Sequence, residues 1–140
     1  MLIVVIDGMG GGIGAQLVSQ LSGQTAAGTE IVCIGANAWA TQSMVKAGAS
    51  RGATGENAVR VMARSADIIT GPIGIVIPNA LMGEITPCMA EVVASSNARK
   101  VLVPVSQSHF EIVGMESRPL VSNIREAAAR ILEILDGMKG

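Results

Sequence analysis

The chain opens with an apolar run that passes directly into a glycine-rich turn and then into an amphipathic stretch. Residues 2–6 (LIVVI) include no polar side chain, which is typical of a strand covered on both faces in a parallel sheet. The run stops at Asp7, and the pattern predicts a helix that begins near Gly12. Because strand, tight turn and helix in this order form half of a βαβ unit, this stretch limits the fold more than any other.

The turn itself contains five glycines between residues 8 and 14. Glycine permits positive φ and a close approach between backbone and ligand, because it has no Cβ. The free N–H groups and positive dipole end of a helix that begins there suit a phosphate or another anion. The alternative is a tight turn in which glycine serves packing alone. We expect a phosphate-binding loop formed by Gly8, Gly10, Gly11, Gly12, Ile13 and Gly14.

Strand-like and helix-like patterns alternate along the rest of the chain. Further strands are predicted at about residues 31–34, 67–70, 100–105 and 110–115. Further helices are predicted at about residues 38–46, 55–64, 87–96 and 119–136, the third capped by Thr86 and the last ended by Gly137. Residues 50–55 are predicted to form a loop, and residues 73–77 fit either a short strand or a buried helical turn. The alternation predicts a Rossmann-like α/β fold, a three-layer αβα sandwich around a mainly parallel sheet of about five strands.

Length and charge limit the classes of function. With 140 residues the chain is expected to form a single domain, 1–140, without room for a separate substrate domain. Ten basic residues against eleven acidic ones argue against nucleic acid or an anionic membrane as partner. No segment resembles a signal peptide or a bilayer span, so a cytoplasmic location is expected. Cys33 and Cys88 lack metal-site spacing and are expected to be free thiols, and no metal is expected.

Small or hydrogen-bonding residues follow the predicted strands. In doubly wound sheets ligands bind outside the carboxyl ends of the strands, near the point where the strand order reverses. The residues at those ends therefore predict a polar ligand cleft, although polar loops after strands are also ordinary surface turns. Beside the glycine turn, the expected binding residues are Asn37, Thr70, Gly71 and Ser106.

The identity of the ligand is less constrained. Gly10-x-Gly12-x-x-Ala15 matches the dinucleotide fingerprint, which makes NAD(P) or another nucleotide the expected cofactor. NAD-type sites commonly place Asp or Glu after the second strand to bind the ribose, and here residues 35–37 are Gly-Ala-Asn. Asn37 fits two roles equally, a ribose contact or the cap of the next helix.

Few side chains are candidates for acid–base or nucleophilic chemistry, and the catalytic residues are not assigned. Glu84 is the single acidic residue in an apolar stretch, where a solvated turn residue is the favoured interpretation. His109 is the one histidine, and a surface loop position is favoured over a catalytic one. Cys88 lies in the first turn of its helix without a base nearby in sequence. The second glycine loop, residues 52–57, fits an anion cradle or, preferably, a capped turn in which Thr54 or Gly55 caps the next helix.

The sequence resembles two protein families. Gly8-x-x-x-Gly12-Ile13-Gly14 resembles the cofactor loop of short-chain dehydrogenases, but their catalytic tyrosine is missing because the chain has no tyrosine. Over its full length the chain resembles a family of short bacterial Rossmann-like proteins of unknown function. The segments that carry this resemblance are DGMGGGIG, GANAWAT, GATGEN and GPIGIVIPNALMGEITP. The resemblance implies a single Rossmann-like domain and supplies no activity.

The leading hypothesis is a domain that binds a small phosphorylated ligand, a nucleotide or dinucleotide, through the glycine turn. Two alternatives remain: an enzyme whose site is completed by oligomerisation, and a ligand-free interaction or scaffold module. Self-association into a homo-oligomer is expected in each case, since a chain with mean hydropathy +0.50 has apolar surface to bury.

Overall fold

The computed structural model describes residues 1–105 and 110–138 of the chain. Its strands are β1 (Leu2–Asp7), β2 (Glu30–Gly35), β3 (Arg51–Thr54), β4 (Ile68–Pro72) and β5 (Arg99–Val103). Its α-helices are α1 (Gly12–Leu21), α2 (Ala38–Lys46), α3 (Glu56–Ala63), α4 (Pro87–Ser95) and α5 (Leu120–Met138), with a 3-10 turn at Ile73–Val76.

The five strands form one sheet in the order β3-β2-β1-β4-β5, and every neighbouring pair is parallel. The first strand of the chain is therefore the central one, and its residues 3–6 are at most 1% exposed. This burial explains why the opening run contains no polar side chain. The carboxyl ends of all five strands lie at the same edge of the sheet, which is called the carboxyl edge below.

Helices cover both faces of the sheet. Side chains of α1, α2 and α5 pack with Ile3, Val5 and Ile68 on one face. Side chains of α3 and α4 pack with Val4, Ile6 and Ile69 on the other face. The predicted α/β fold, a Rossmann-like three-layer αβα sandwich with a parallel sheet of five strands, is confirmed.

Two helices begin at the side-chain caps that their sequences indicate. Thr86 Oγ1 accepts the N–H of Met89 at 3.1 Å at the start of α4, with Pro87 in the first turn. Asn37 Oδ1 accepts the N–H of Ala40 at 2.8 Å at the start of α2. These bonds satisfy N–H groups that lack an intrahelical acceptor, so both starts agree with the prediction.

Several sequence-based boundaries are wrong. The predicted loop at 50–55 contains β3, which pairs with β2 although only Ala53 of its four residues is apolar. Of the two expected caps of α3, Gly55 occupies the cap position and Thr54 does not; the Thr54 hydroxyl is 2.7 Å from the Thr41 hydroxyl. Residues 110–115 form no strand and are exposed, and α5 continues through Gly137 to Met138.

Candidate ligand-binding site

Asp7, the last residue of β1, is a buried carboxyl group at the centre of the carboxyl edge. Its side chain accepts the N–H of Gly8 at 2.8 Å and the N–H of Gly14 at 2.7 Å, and the residue is 4% exposed. Burial raises the pKa of Asp7, the neighbouring Glu84 carboxyl raises it further, and the hydrogen bonds from Gly14 and Gly8 oppose that rise. Asp7 therefore serves as an internal acceptor for the glycine loop, residues 8–14.

Glycine is required at Gly11 and Gly14 by close packing. A Cβ on Gly11 would lie 2.8 Å from Ala40 Cα, and the φ of Gly11 is +71°. A Cβ on Gly14 would lie 2.9 Å from Asp7 Cβ. At Gly10 and Gly12, by contrast, a Cβ would meet nothing within 4 Å. The loop thus combines two positions at which packing requires glycine with two positions at which it does not.

Glu84 reaches the glycine loop from the connection between β4 and α4. Its Oε1 accepts the N–H of Met9 at 2.5 Å, and its Oε2 accepts an N–H of the Asn37 side-chain amide at 2.6 Å. The same Asn37 nitrogen donates to the Met9 carbonyl at 3.0 Å. We call Met9, Asn37 and Glu84 the edge triad. The triad joins the loops after β1, β2 and β4. Glu84 is a half-buried turn residue, and its carboxylate is hydrogen-bonded within the chain, which the interpretation as a solvated turn residue did not include.

The turn that carries Glu84 has an unusual backbone. Asn79, Leu81 and Met82 have φ of +64°, +56° and +57°, and Gly83 follows at +88°. Left-handed conformations in residues other than glycine are unfavourable, and such strain is concentrated at ligand sites and switch regions. A Cβ on Gly8 would lie 3.0 Å from both Glu84 Oε1 and Leu81 Cδ1. Glycine at position 8 thus leaves room for the ends of the Glu84 and Leu81 side chains.

The remaining predicted binding residues are not all brought to one place. Ile13 is half-buried and packs against the core on the α1 face. Thr70 is fully buried, and its hydroxyl has no hydrogen-bond partner among residues 1–105 and 110–138. A Cβ on Gly71 would lie 2.1 Å from the Ile6 carbonyl oxygen, so glycine is required there by the contact between β1 and β4. Ser106 and His109 lie outside the described residues.

A cavity of about 470 Å³ opens at the carboxyl ends of β4 and β5. Its walls are mainly apolar, with Glu116, Ser117, Arg118 and Asn123 as polar members. The apolar lining is provided by Ile73, Val76, Ile77, Pro104, Val105, Phe110, Ile112 and Met115. Sequence reasoning missed this cavity, because residues 110–115 were assigned to a strand instead of to its wall.

A larger recess of about 590 Å³ lies between β5 and α5 and is lined by several charged side chains. Two of its arginines are already paired: Arg118 with Glu126, and Arg130 Nη1 with Glu133 Oε2 at 2.9 Å. These ion pairs are exposed and contribute little stability. The recess therefore offers less unpaired charge to a ligand than its composition suggests.

Other features of the described chain concern metals, thiols and membranes. Within residues 1–105 and 110–138, no three His, Cys, Asp or Glu side chains are grouped as a metal site would need. Cys33 is a buried free thiol and Cys88 a half-buried one, as expected. Among the helices that the structure describes, none combines the length and apolar character of a membrane span.

Two solved structures of decarboxylases are similar to this chain to different degrees. The dodecameric FMN-dependent UbiX-like decarboxylase from Escherichia coli O157:H7 is 14% identical, with 96% of this chain and 94% of that chain aligned and a TM-score of 0.53. The FMN-dependent cysteine decarboxylase TvaF from thioviridamide biosynthesis is 15% identical over 93% of this chain and 85% of that one, with a TM-score of 0.44.

At such identities the E. coli structure supports the α/β fold alone. No curated protein matches the chain. A family model matches residues 2–136, which is nearly the whole chain. The chain therefore belongs to the family described as Domain of unknown function (DUF3842).

Proposed function

We propose that this chain binds a nucleotide-type cofactor that carries a phosphate, at the carboxyl edge of the sheet. The observation that carries the proposal is the position of the 470 Å³ cavity at the carboxyl ends of β4 and β5, because β4 pairs with β1, the strand that leads into the glycine loop. From β1 the chain proceeds to β2 and β3 on one side and then crosses to β4 and β5 on the other. The junction of β1 and β4 is thus the topological switch point, where α/β sheets of this kind bind ligands.

The cavity suits the ring of such a cofactor. Its volume falls within the range of small-molecule sites, about 300–1,000 Å³, and its mainly apolar walls with a few polar groups are typical of them. Neighbouring strands are about 4.8 Å apart, so the cavity at β4 and β5 begins about one strand away from the loop after β1. A nucleotide-sized molecule spans that distance with its ring in the cavity and its phosphate at the loop.

The glycine loop has limited room for the phosphate. Asp7 already accepts two of its N–H groups and Glu84 accepts that of Met9. The open positions are Gly10 and Gly12, and Gly12 begins α1, where N–H groups lack intrahelical acceptors. We therefore assign the phosphate to Gly10 and Gly12 rather than to the whole loop.

Flavin mononucleotide is the first ligand to test, because the E. coli decarboxylase with this fold is FMN-dependent. A bound flavin would supply a ring that accepts and releases electrons. This chain's residues would hold the ring in the apolar cavity and the phosphate at the start of α1. NAD and NADP remain the ligands that the glycine fingerprint favours.

Self-association is part of the proposal. Residues 110–121 expose several large apolar side chains, and part of this segment forms the cavity wall: Phe110, Ile112, Val113, Met115, Leu120 and Val121. Exposed apolar surface of this kind is typical of interfaces. A second copy of the chain would cover it and close the cavity. The E. coli decarboxylase is dodecameric. An enzyme site completed between copies is the alternative that this segment favours.

Thermal denaturation in the presence of FMN, NAD, NADP and ATP tests the proposal. A ligand that binds only the folded chain adds about 2.7 kcal/mol of stability at about 100 times its Kd, which raises Tm by several degrees. We expect Gly12→Val to remove the shift while the fold persists, because a Cβ there meets nothing within 4 Å. Gly137→Val is the matched control, since position 137 is equally open but lies near the end of α5.

A second pair of variants tests the cavity. Ile112→Asp places a charge on the cavity wall and is expected to weaken FMN binding, because a charge beside an apolar ring is unfavourable. Val61→Asp on α3, whose valine is 54% exposed, is the control. If millimolar concentrations of all four ligands leave the Tm unchanged, the proposed function is wrong.

A further inference from the structure

The carboxyl edge lacks an acidic residue where dinucleotide sites commonly have one. Such sites use an Asp or Glu after the second strand to bind ribose hydroxyls. β2 ends at Gly35 and is followed by Ala36 and Asn37, none of which carries a carboxylate. The structure brings Glu84 to this place from a different loop, with its Oε2 atom 2.6 Å from Asn37 Nδ2.

Glu84 keeps hydrogen-bonding capacity in this position. A carboxylate has about four acceptor sites on its two oxygens, and within the described residues Oε1 of Glu84 accepts one hydrogen bond from Met9 and Oε2 accepts one from Asn37. The side chain is only half-buried, so hydroxyl donors from outside can reach it. Three left-handed residues, Asn79, Leu81 and Met82, hold the turn that carries it, so the carboxylate is placed at the expense of backbone strain.

Asn37 has a different role. Both of its amide N–H groups are in use, one toward Glu84 and one toward the Met9 carbonyl, and its oxygen caps α2. Asn37 is thus a positioning residue that fixes the Glu84 carboxylate between the loops after β1 and β2. Asn37 therefore combines the helix cap predicted from the sequence with a hydrogen bond to Glu84 that the sequence did not indicate.

The negative charge of the Glu84 carboxylate determines which group of a ligand can bind beside it. A carboxylate repels a phosphate and accepts hydrogen bonds from hydroxyl groups. We infer that Glu84 binds vicinal hydroxyls of the ligand's sugar, with Asn37 holding the carboxylate in place. This inference rests on the proposed function, and the chemistry is shared by the ribose of a nucleotide and the ribityl chain of a flavin. A 2′-phosphate on a ribose held there is disfavoured, so NAD is preferred over NADP.

Matched ligand pairs test the inference on the full chain. AMP is compared with 2′-deoxy-AMP, and riboflavin with lumiflavin, by isothermal titration on the original chain and on Glu84→Gln. We expect the original chain to prefer the hydroxyl-bearing member of one pair by about tenfold, the value of one charge-assisted hydrogen bond. In Glu84→Gln that preference falls toward one, and the pair that responds identifies ribose or ribityl as the sugar. Glu91→Gln, an exposed glutamate on α4, is the control and keeps the preference.

The possible results separate the inference from the function on which it rests. If Glu84→Gln remains folded by circular dichroism and keeps the preference, the assignment of Glu84 is wrong while ligand binding stands. If Glu84→Gln binds phosphate-bearing ligands more tightly with no change in preference, Glu84 opposes the phosphate and does not bind the sugar. If the original chain binds no member of either pair, nor FMN, NAD, NADP or ATP, both the function and the inference are wrong.

Discussion

Asp7 Oδ2 accepts the N–H of Gly14 at 2.7 Å, so the last residue of the central strand caps the helix that follows it. A second N–H, from Gly8, reaches Asp7 Oδ1 at 2.8 Å. The buried carboxyl group therefore fixes both ends of the glycine turn. Loop shape and helix start depend on one side chain, which makes Asp7 the most informative position for mutation.

Asp7→Asn should lower the free energy of unfolding by about 1–3 kcal/mol. The asparagine fits the same space, but its amide group presents donors to a backbone N–H that then lacks an acceptor. Urea denaturation followed by circular dichroism measures the change, with Glu91→Gln as a control that stays within about 0.5 kcal/mol. An Asp7→Asn variant as stable as the original chain would show that these hydrogen bonds contribute no net stability.

The pKa of Asp7 should also make stability depend on pH. Burial and the nearby Glu84 carboxyl raise this pKa above its ordinary value of 3.8, so the folded chain holds the proton more tightly than the unfolded chain does. The contribution of Asp7 to the unfolding free energy is therefore greatest below pH 3.8 and is lost as pH rises through the folded pKa. The original chain should therefore lose part of its stability advantage over Asp7→Asn, measured as the difference in unfolding free energy, as pH rises from 3.8 through the folded pKa. An NMR titration of the carboxyl carbon should give a folded pKa above 3.8, and a value below it would contradict the prediction.

Gly14→Ala and Gly12→Ala should have opposite effects although both replace a glycine in the first turn of α1. In an open helical position alanine is favoured by up to about 1 kcal/mol, and a Cβ on Gly12 meets nothing within 4 Å. A Cβ on Gly14 would be 2.9 Å from Asp7 Cβ, and Asp7 is held by two hydrogen bonds. We expect Gly12→Ala to raise Tm slightly and Gly14→Ala to lower it by several degrees. Equal effects of the two substitutions would argue against the close packing of Gly14.

Thr70→Val should stabilise the chain. The Thr70 hydroxyl is fully buried and unpaired within the described part of the chain, while valine has nearly the same shape. Removing an unsatisfied buried hydroxyl should raise the free energy of unfolding by about 1 kcal/mol. Thr70→Ser keeps the hydroxyl and serves as the comparison. A destabilised Thr70→Val would instead indicate that the hydroxyl bonds to a buried water or to a ligand.

Val113→Glu should reduce self-association without affecting the fold. Val113 is 99% exposed, so its replacement removes no core contact. A charge in the apolar segment 110–121 opposes burial of that segment against a second copy. Light scattering after gel filtration should show a smaller species than for the original chain, while Val61→Glu on α3 keeps the original mass. Identical masses for Val113→Glu and the original chain would place any interface elsewhere.

The sequence predicted those elements whose signals are local. The bounds of α2 and the Thr86-Pro87 start of α4 follow from capping residues that act within one turn. The central strand follows from its continuous apolar run. By contrast, β3 was missed because its edge position lets Arg51 and Thr54 remain exposed, so it has no apolar pattern to detect.

The candidate site was only partly predictable, because its contacts are distant in sequence. The glycine turn and Asn37 were singled out, and their part in ligand binding stays a prediction. Glu84 was noticed as an isolated acidic residue, but its bonds to Met9 and Asn37 span 75 and 47 positions. Nothing in a local pattern indicates such pairings. The wrong strand at 110–115 arose because apolar residues outside the core give the same local signal as a strand.

The central position of β1 has a consequence for how the chain is synthesised. β1 is made first, yet one of its two neighbours, β4, begins only at Ile68. Until those residues leave the ribosome, one edge of the most apolar strand is unpaired. An open apolar edge of this kind is a template for pairing with other chains. Aggregation during expression should therefore be a greater hazard for fragments that end before residue 68 than for the whole chain.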